Sequence, residues 1–157
     1  MPEVSFESSN YHIRKDLVDV HREAWACIAS PGTWLTGAQR IAIVKGVREV
    51  LRGSKCAETR EALSPENVSI PNLNEGQLSS AQVELILRVV CDPGRLTKRW
   101  AKKILSLGMS EEEYIEIIGI IATVMILDTC TFGLGLPNTE LPAPRPGNPS
   151  RYKPPGS

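Results

Sequence analysis

The sequence predicts an all-α fold of about six helices with an extended proline-rich C-terminal tail. Three observations carry that expectation. Apolar residues recur at helical spacing through most of the chain. Segments open on Ser or Thr followed three residues later by Gln or Glu, the form of a capping box. Prolines gather past Leu136: seven of the chain's 12 lie at 137–157, where no helix can form.

The first helix is expected over 12–29, where Ile13, Leu17, Val20, Ala24 and Ile28 mark one face. Ser30-Pro31-Gly32 ends it. Thr36-Gly37-Ala38-Gln39 opens a second helix that runs to Arg52, with Ile41, Val44, Val47 and Leu51 in one stripe. Gly53 breaks the pattern, Ser54 is placed to cap a short helix at 55–63, and Ser64-Pro65 stops it. Residues 64–76 are poor in apolar side chains and read as a loop. Ser79-Ser80-Ala81-Gln82 opens the next helix, which Asp92-Pro93-Gly94 ends.

A fifth helix is expected from Leu96 to Leu107, with Gly108 as its C-terminal cap. Ser110 opens the sixth, and Glu111, Glu112 and Glu113 suit the positive end of its dipole. This helix carries apolar side chains on nearly every face, which requires burial all round or a partner subunit. The expected organisation is a helical domain at 1–136 and a tail or linker at 137–157, either loose or lying on the surface.

Eighteen basic residues balance 18 acidic ones, so no charge footprint points to nucleic acid or an anionic membrane. The apolar run from Ile117 to Leu127 is too short to span a bilayer and reads as core. The N-terminal residues lack the pattern of a secretory signal, so a cytoplasmic protein with reduced thiols is expected. Cys27, Cys56, Cys91 and Cys130 lack zinc-ligand spacing, and neither a metal nor another cofactor is expected.

The chemistry centres on Gly53-Ser54-Lys55-Cys56-Ala57-Glu58-Thr59-Arg60. A dithiol enzyme wants Cys-x-x-Cys with a histidine one turn on. Here Gly53 stands for the first cysteine and Arg60 for the histidine. Cys56 falls in the first turn of its helix, where the dipole and Lys55 favour thiolate. Arg60, one turn on, is placed to hold an anionic substrate or a sulfenate. The bland alternative is a half-buried cysteine with no catalytic part.

Three stretches give the chain a family likeness. They are Pro31-Gly32-Thr33-Trp34-Leu35-Thr36-Gly37 with the helix and Cys56 turn that follow, Asp92-Pro93-Gly94-Arg95-Leu96-Thr97 with Trp100, and Leu107-Gly108-Met109-Ser110 running on to Leu134-Gly135-Leu136-Pro137. Together they resemble the carboxymuconolactone decarboxylase and alkylhydroperoxidase D-like family over most of residues 20–137. The resemblance implies an all-helical, homo-oligomeric protein. It also implies a thiol peroxidase relay of two cysteines, a histidine and a glutamate. On this chain the second cysteine matches Cys56, while the other positions fall on Gly53, Arg60 and on or near Ile41. That departure weighs against the family's own dithiol cycle.

The remaining candidates have structural readings beside the functional ones. Cys27, Cys91 and Cys130 read as core, although Cys91 or Cys130 would resolve Cys56 if brought within disulfide reach. His21 reads as packed on its helix face, and His12 as solvated. Glu116 and Asp128 read as ion-pair partners of Arg40, Arg88, Arg95 or Arg99 before acid–base groups. Trp25, Trp34, Trp100 and Tyr114 read as core before pocket.

The leading expectation is an alkylhydroperoxidase-like redox protein with weak or altered peroxide-reducing activity centred on Cys56, with Lys55 and Arg60 as its helpers and an external thiol as reductant. The alternatives are an inactive oligomerisation or partner-binding domain, and a small-molecule decarboxylase or binding protein.

Overall fold

The computed structural model describes residues 4–73, 77–153 and 155. It is all-helical, with six α-helices and no strand among the described residues. They are α1 (Lys15–Ile28), α2 (Gly37–Arg52), α3 (Lys55–Glu61), α4 (Ser80–Cys91), α5 (Lys98–Ser106) and α6 (Glu111–Gly133). Short 3-10 turns lie at Pro65–Asn67 and Pro93–Arg95.

The local signals act as the sequence implies. Gln39 N–H donates to Thr36 Oγ1 at 3.3 Å and Thr36 N–H to Gln39 Oε1 at 2.9 Å, a reciprocal cap at the start of α2. Ser79 and Gln82 repeat it at α4 with 3.2 and 2.9 Å bonds. Ser110 caps α6 through Glu113 N–H at 3.1 Å. Gly108, at φ +98°, takes the left-handed position after α5. Ser54 departs from expectation. It sits at the cap of α3, but its hydroxyl donates to Glu58 Oε1 at 2.8 Å instead of capping the helix backbone.

The contacts divide the chain into two compact units, residues 1–41 with 122–157, and residues 42–121. In the first unit, Trp25 is buried on α1 and its indole N–H donates to the Glu140 carbonyl at 2.9 Å. Past Gly133 the described residues form neither helix nor strand. They form an arm bonded along the α1–α2 loop. Arg145 N–H donates to Ala29 O at 2.8 Å, Ser150 N–H to Gly32 O at 3.1 Å and Arg151 N–H to Thr33 O at 2.9 Å. The Arg151 guanidinium stacks over Trp34 at 4.7 Å, and the Lys153 ammonium lies 5.5 Å from the same ring. Gly37 allows this close approach, since a Cβ there would stand 2.3 Å from Ala29 O and 2.7 Å from Arg145 O. The backbone bonds of the arm come from Arg145, Ser150 and Arg151; residues 154, 156 and 157 lie outside the described set.

In the second unit, α4 is the most enclosed helix: Leu85, Ile86, Leu87, Val90 and Cys91 are all buried. α3 packs on it, and Trp100 and Ile104 of α5 are buried in the same unit. Of the two expectations for α6, burial all round within this chain is not what is seen. Ile117, Ile121 and Val124 are buried, whereas Ile115, Ile126 and Phe132 stay 69%, 62% and 81% exposed. Its 23 residues also exceed the apolar run on which the length argument rested. By length and composition alone α6 is long and apolar enough to cross a membrane, a test that core helices of soluble proteins also pass.

Candidate redox site

Cys56 and Cys91 are joined by a disulfide. Cys56 is the second residue of α3 and is half-buried. Cys91 is the last residue of α4 and is only 1% exposed. Their Cα atoms are 4.6 Å apart, across 35 residues of sequence. Two expectations change here. Cys91 is not merely a packed core thiol, and these two sulfurs are not reduced in this structure. The pairing falls to Cys91, since Cys130 stays free and half-buried. Cys27, also expected in the core, is exposed, because its side of α1 faces solvent.

The bond sits within a clasp of arginines. Arg60 Nε donates to the Cys91 carbonyl at 2.7 Å, across α3 to the end of α4. Arg95, in the turn after α4, returns the bond. Its guanidinium donates to Thr59 O at 2.6 Å and Ala62 O at 2.9 Å, carbonyls at the end of α3. Arg95 Nε also donates to Asp92 Oδ2 at 2.8 Å. Each helix end therefore presents carbonyls that an arginine from the other side satisfies. These bonds tie the ends of α3 and α4 through backbone carbonyls and do not involve the sulfurs.

Lys55 and Arg60, the two helpers expected for Cys56, are beside it in sequence but occupied. Lys55 Nζ binds Glu58 Oε2 at 2.6 Å and Ser69 Oγ at 3.2 Å. Those bonds from Lys55 and then Ser54 hold the Glu58 carboxyl below its ordinary range. The charge of Lys55 is thus shared with a carboxylate before it reaches the sulfur. Arg60 is exposed, and its Nε serves a backbone carbonyl.

Arg88 lies on α4 one turn before Cys91 and is 4% exposed. Its Nη1 is 3.8 Å from Asp92 Oδ2, an ion pair too long for a hydrogen bond. Nε and Nη1 find no hydrogen-bond partner among the described residues. Burial pushes the guanidinium below its ordinary value, and Asp92 opposes that push. Glu84, one turn earlier, is buried and accepts from Trp100 Nε1 at 3.2 Å, with Lys103 Nζ 3.7 Å away. Arg88 and Arg95, expected as partners for Glu116 or Asp128, thus pair with Asp92.

The other candidates lie apart from this pair. His21 is buried on α1 against Phe6, with ring centroids 5.5 Å apart, and burial lowers its pKa. Asp128 is buried and accepts from Asn138 Nδ2 at 3.4 Å. A cavity of about 280 Å³ is lined by Ser5, Ser8 and Leu136 to Glu140, in the unit that does not hold the cysteine pair. Among the described residues no cluster of His, Cys, Asp and Glu is arranged to hold a metal.

Comparisons with family models, with curated proteins and with solved structures gave no match to this chain. The chemistry of the site therefore rests on its own geometry.

Proposed function

We propose that the protein is a thiol-dependent peroxidase in which Cys56 reacts with hydroperoxide and Cys91 resolves it. The observation that carries this reading is the Cys56–Cys91 disulfide, whose two sulfurs differ in access. Cys56 is the half-buried one and Cys91 the enclosed one, so a hydroperoxide from solvent meets Cys56 first. Its thiolate attacks the terminal oxygen of ROOH and breaks the O–O bond. The alkoxide takes a proton and leaves as ROH, and Cys56 becomes the sulfenic acid. The Cys91 thiolate then attacks the Cys56 sulfur and displaces hydroxide, which leaves as water once protonated. An external dithiol reduces the disulfide and closes the cycle. A reducing, cytoplasmic setting supplies such donors.

This reading replaces the two vicinal cysteines of the alkylhydroperoxidase-like pattern with a pair drawn from two helices. The resolving thiol belongs to the chain itself and not to an external partner. Arg60 serves the cycle by holding the end of α4 against α3.

A second reading is an inactive oligomerisation or partner-binding domain with a structural disulfide. The exposed Ile115, Ile126 and Phe132 of α6 favour it, and so does the engagement of Arg60 with backbone. Steady-state consumption of an organic hydroperoxide with a dithiol donor separates the two. Turnover in the wild type that is abolished by Cys56→Ser supports the peroxidase. Equal, background rates in both proteins support the inactive domain.

A further inference from the structure

We propose that Arg88 is the counter-cation of a Cys91 thiolate, and that it directs reduction of the disulfide by making Cys91 the sulfur that leaves while the donor attacks Cys56. The proposal rests on the redox reading of the pair and assigns the two sulfurs unequal parts in its reductive half.

The argument begins with access. Thiol–disulfide exchange runs in line, so the attacked sulfur must be reachable and the other must leave with the negative charge. Cys56 is half-buried and Cys91 is 1% exposed, so the donor reaches Cys56. The departing charge then develops on Cys91, inside the protein. Unaided, that is a poor place for it. Burial disfavours a thiolate, and the C-terminus of α4 presents the negative end of the helix dipole.

The residues around the end of α4 oppose both effects. Arg88 and Cys91 are three apart on one helix, which places their Cβ atoms about 5–6 Å from each other. Arg88 is 4% exposed and carries two guanidinium nitrogens, Nε and Nη1, with no hydrogen-bond partner among the described residues. The guanidinium carbon lies 6.0 Å from the Trp100 ring centre and Nη1 3.8 Å from Asp92, but neither contact takes up the Nε and Nη1 hydrogens. An anion one turn away relieves the cost of burying them unbonded.

The charges on neighbouring elements leave room for such an anion. On α3, Lys55 is paired with Glu58, and Arg60 Nε covers the Cys91 carbonyl itself, removing part of the dipole's negative end. After α4, the Asp92 carboxylate is engaged by Arg95 at 2.8 Å and only at 3.8 Å by Arg88. On α4 and α5, Glu84 is held by Trp100 and Lys103. Glu66, in the 3-10 turn, acts on Arg88 more weakly than Asp92, Arg95 and Glu84 do. Arg88 and Arg95 thus share the single carboxylate of Asp92, at 3.8 and 2.8 Å, which leaves the Arg88 guanidinium open to a thiolate on Cys91.

The step conserves atoms and electrons. A donor thiolate attacks Cys56 Sγ, and a mixed disulfide forms there as the Cys56–Cys91 bond breaks. Cys91 carries away the electron pair as thiolate beside Arg88. The donor's second thiol then releases Cys56 and leaves the donor oxidised. The same thiolate is the attacking group in the resolving step, so one cation serves both halves of the cycle.

The test reads Cys91 alone, without peroxide. In Cys56→Ser, thiolate absorbance near 240 nm is followed against pH, with Cys56→Ser/Cys91→Ser subtracted to remove Cys27, Cys130 and the tyrosines. The expected Cys91 titration lies below the ordinary thiol value of about 8.5. It moves upward when Arg88→Met is added and returns with Arg88→Lys. In the disulfide form, Arg88→Met slows reduction by dithiothreitol at pH 7 by about tenfold, and Arg88→Lys restores most of the rate. Should Arg88→Met fail to fold by circular dichroism, the Cys56→Ser titration and the Arg88→Lys rate still decide. A Cys91 thiol titrating at or above about 8.5 with Arg88 in place overturns the proposal. So does a reduction rate indifferent to Arg88. Either result leaves hydroperoxide turnover to be judged separately.

Discussion

Opening the Cys56–Cys91 bond should cost substantial stability without unfolding the protein. The closed loop spans 35 residues. In the chain-entropy treatment, its removal restores about 13 cal/mol/K to the unfolded chain, or about 4 kcal/mol at 25 °C. For a chain of this length that corresponds to about 10 °C in Tm. The native side of the balance changes less, because Arg60 and Arg95 still bind carbonyls of Cys91, Thr59 and Ala62. The assay is urea unfolding of the oxidised and reduced protein, followed by circular dichroism, beside Cys56→Ala/Cys91→Ala. The oxidised form should be the more stable by most of that figure. The double variant should match the reduced wild type and ignore the reductant. Coincident curves for oxidised and reduced protein would refute the reasoning. So would loss of α3 amide protection on reduction, since the clasp is what keeps α3 in place.

Other expectations follow from single contacts. His21 is buried with a lowered pKa, so the unfolded chain binds its proton first; stability should fall as pH drops below about 6.5 and hold above it. His21→Gln should flatten that limb of the pH–stability curve, and parallel curves would count against the buried neutral imidazole. Gly37→Ala drives a methyl into Ala29 O and Arg145 O and should cost about 1–3 kcal/mol. The same change should speed tryptic cleavage after Arg151, and unchanged cleavage would mean that the arm is not held through this contact. Trp100→Phe removes the 3.2 Å bond to the buried Glu84 and should cost about 1–3 kcal/mol, read from the urea midpoint.

The helices were legible because their signals are local. Thr36 with Gln39 and Ser79 with Gln82 name helix starts without reference to the rest of the chain, and Gly108 names an end. The third dimension was less legible. A stripe such as Val83, Ile86, Leu87 and Val90 shows that α4 has a buried face but not what lies against Cys91. The thiol partner of Cys56 was therefore open between Cys91 and Cys130 until α3 was seen against the end of α4. The arginine clasp left no sequence signature, because it joins side chains to backbone carbonyls of helix ends 31 to 36 residues away. Charge alone suggested that Arg88 and Arg95 would seek Glu116 or Asp128. Asp92, adjacent to both in the folded turn, takes them instead. The same limit applies to α6: an all-apolar helix advertises a need for burial, but not whether its own chain meets it, and Ile115, Ile126 and Phe132 stay exposed here.

The most direct test of the account is to treat the fully reduced protein with one equivalent of an organic hydroperoxide and map the products by peptide mass spectrometry. The account predicts stoichiometric loss of two thiols, ROH as the product, and a cross-linked pair of peptides joining Cys56 to Cys91. Cys91→Ser should stop at the Cys56 sulfenic acid. Hydroperoxide left unconsumed, or oxidation confined to Cys27 or Cys130, would contradict it.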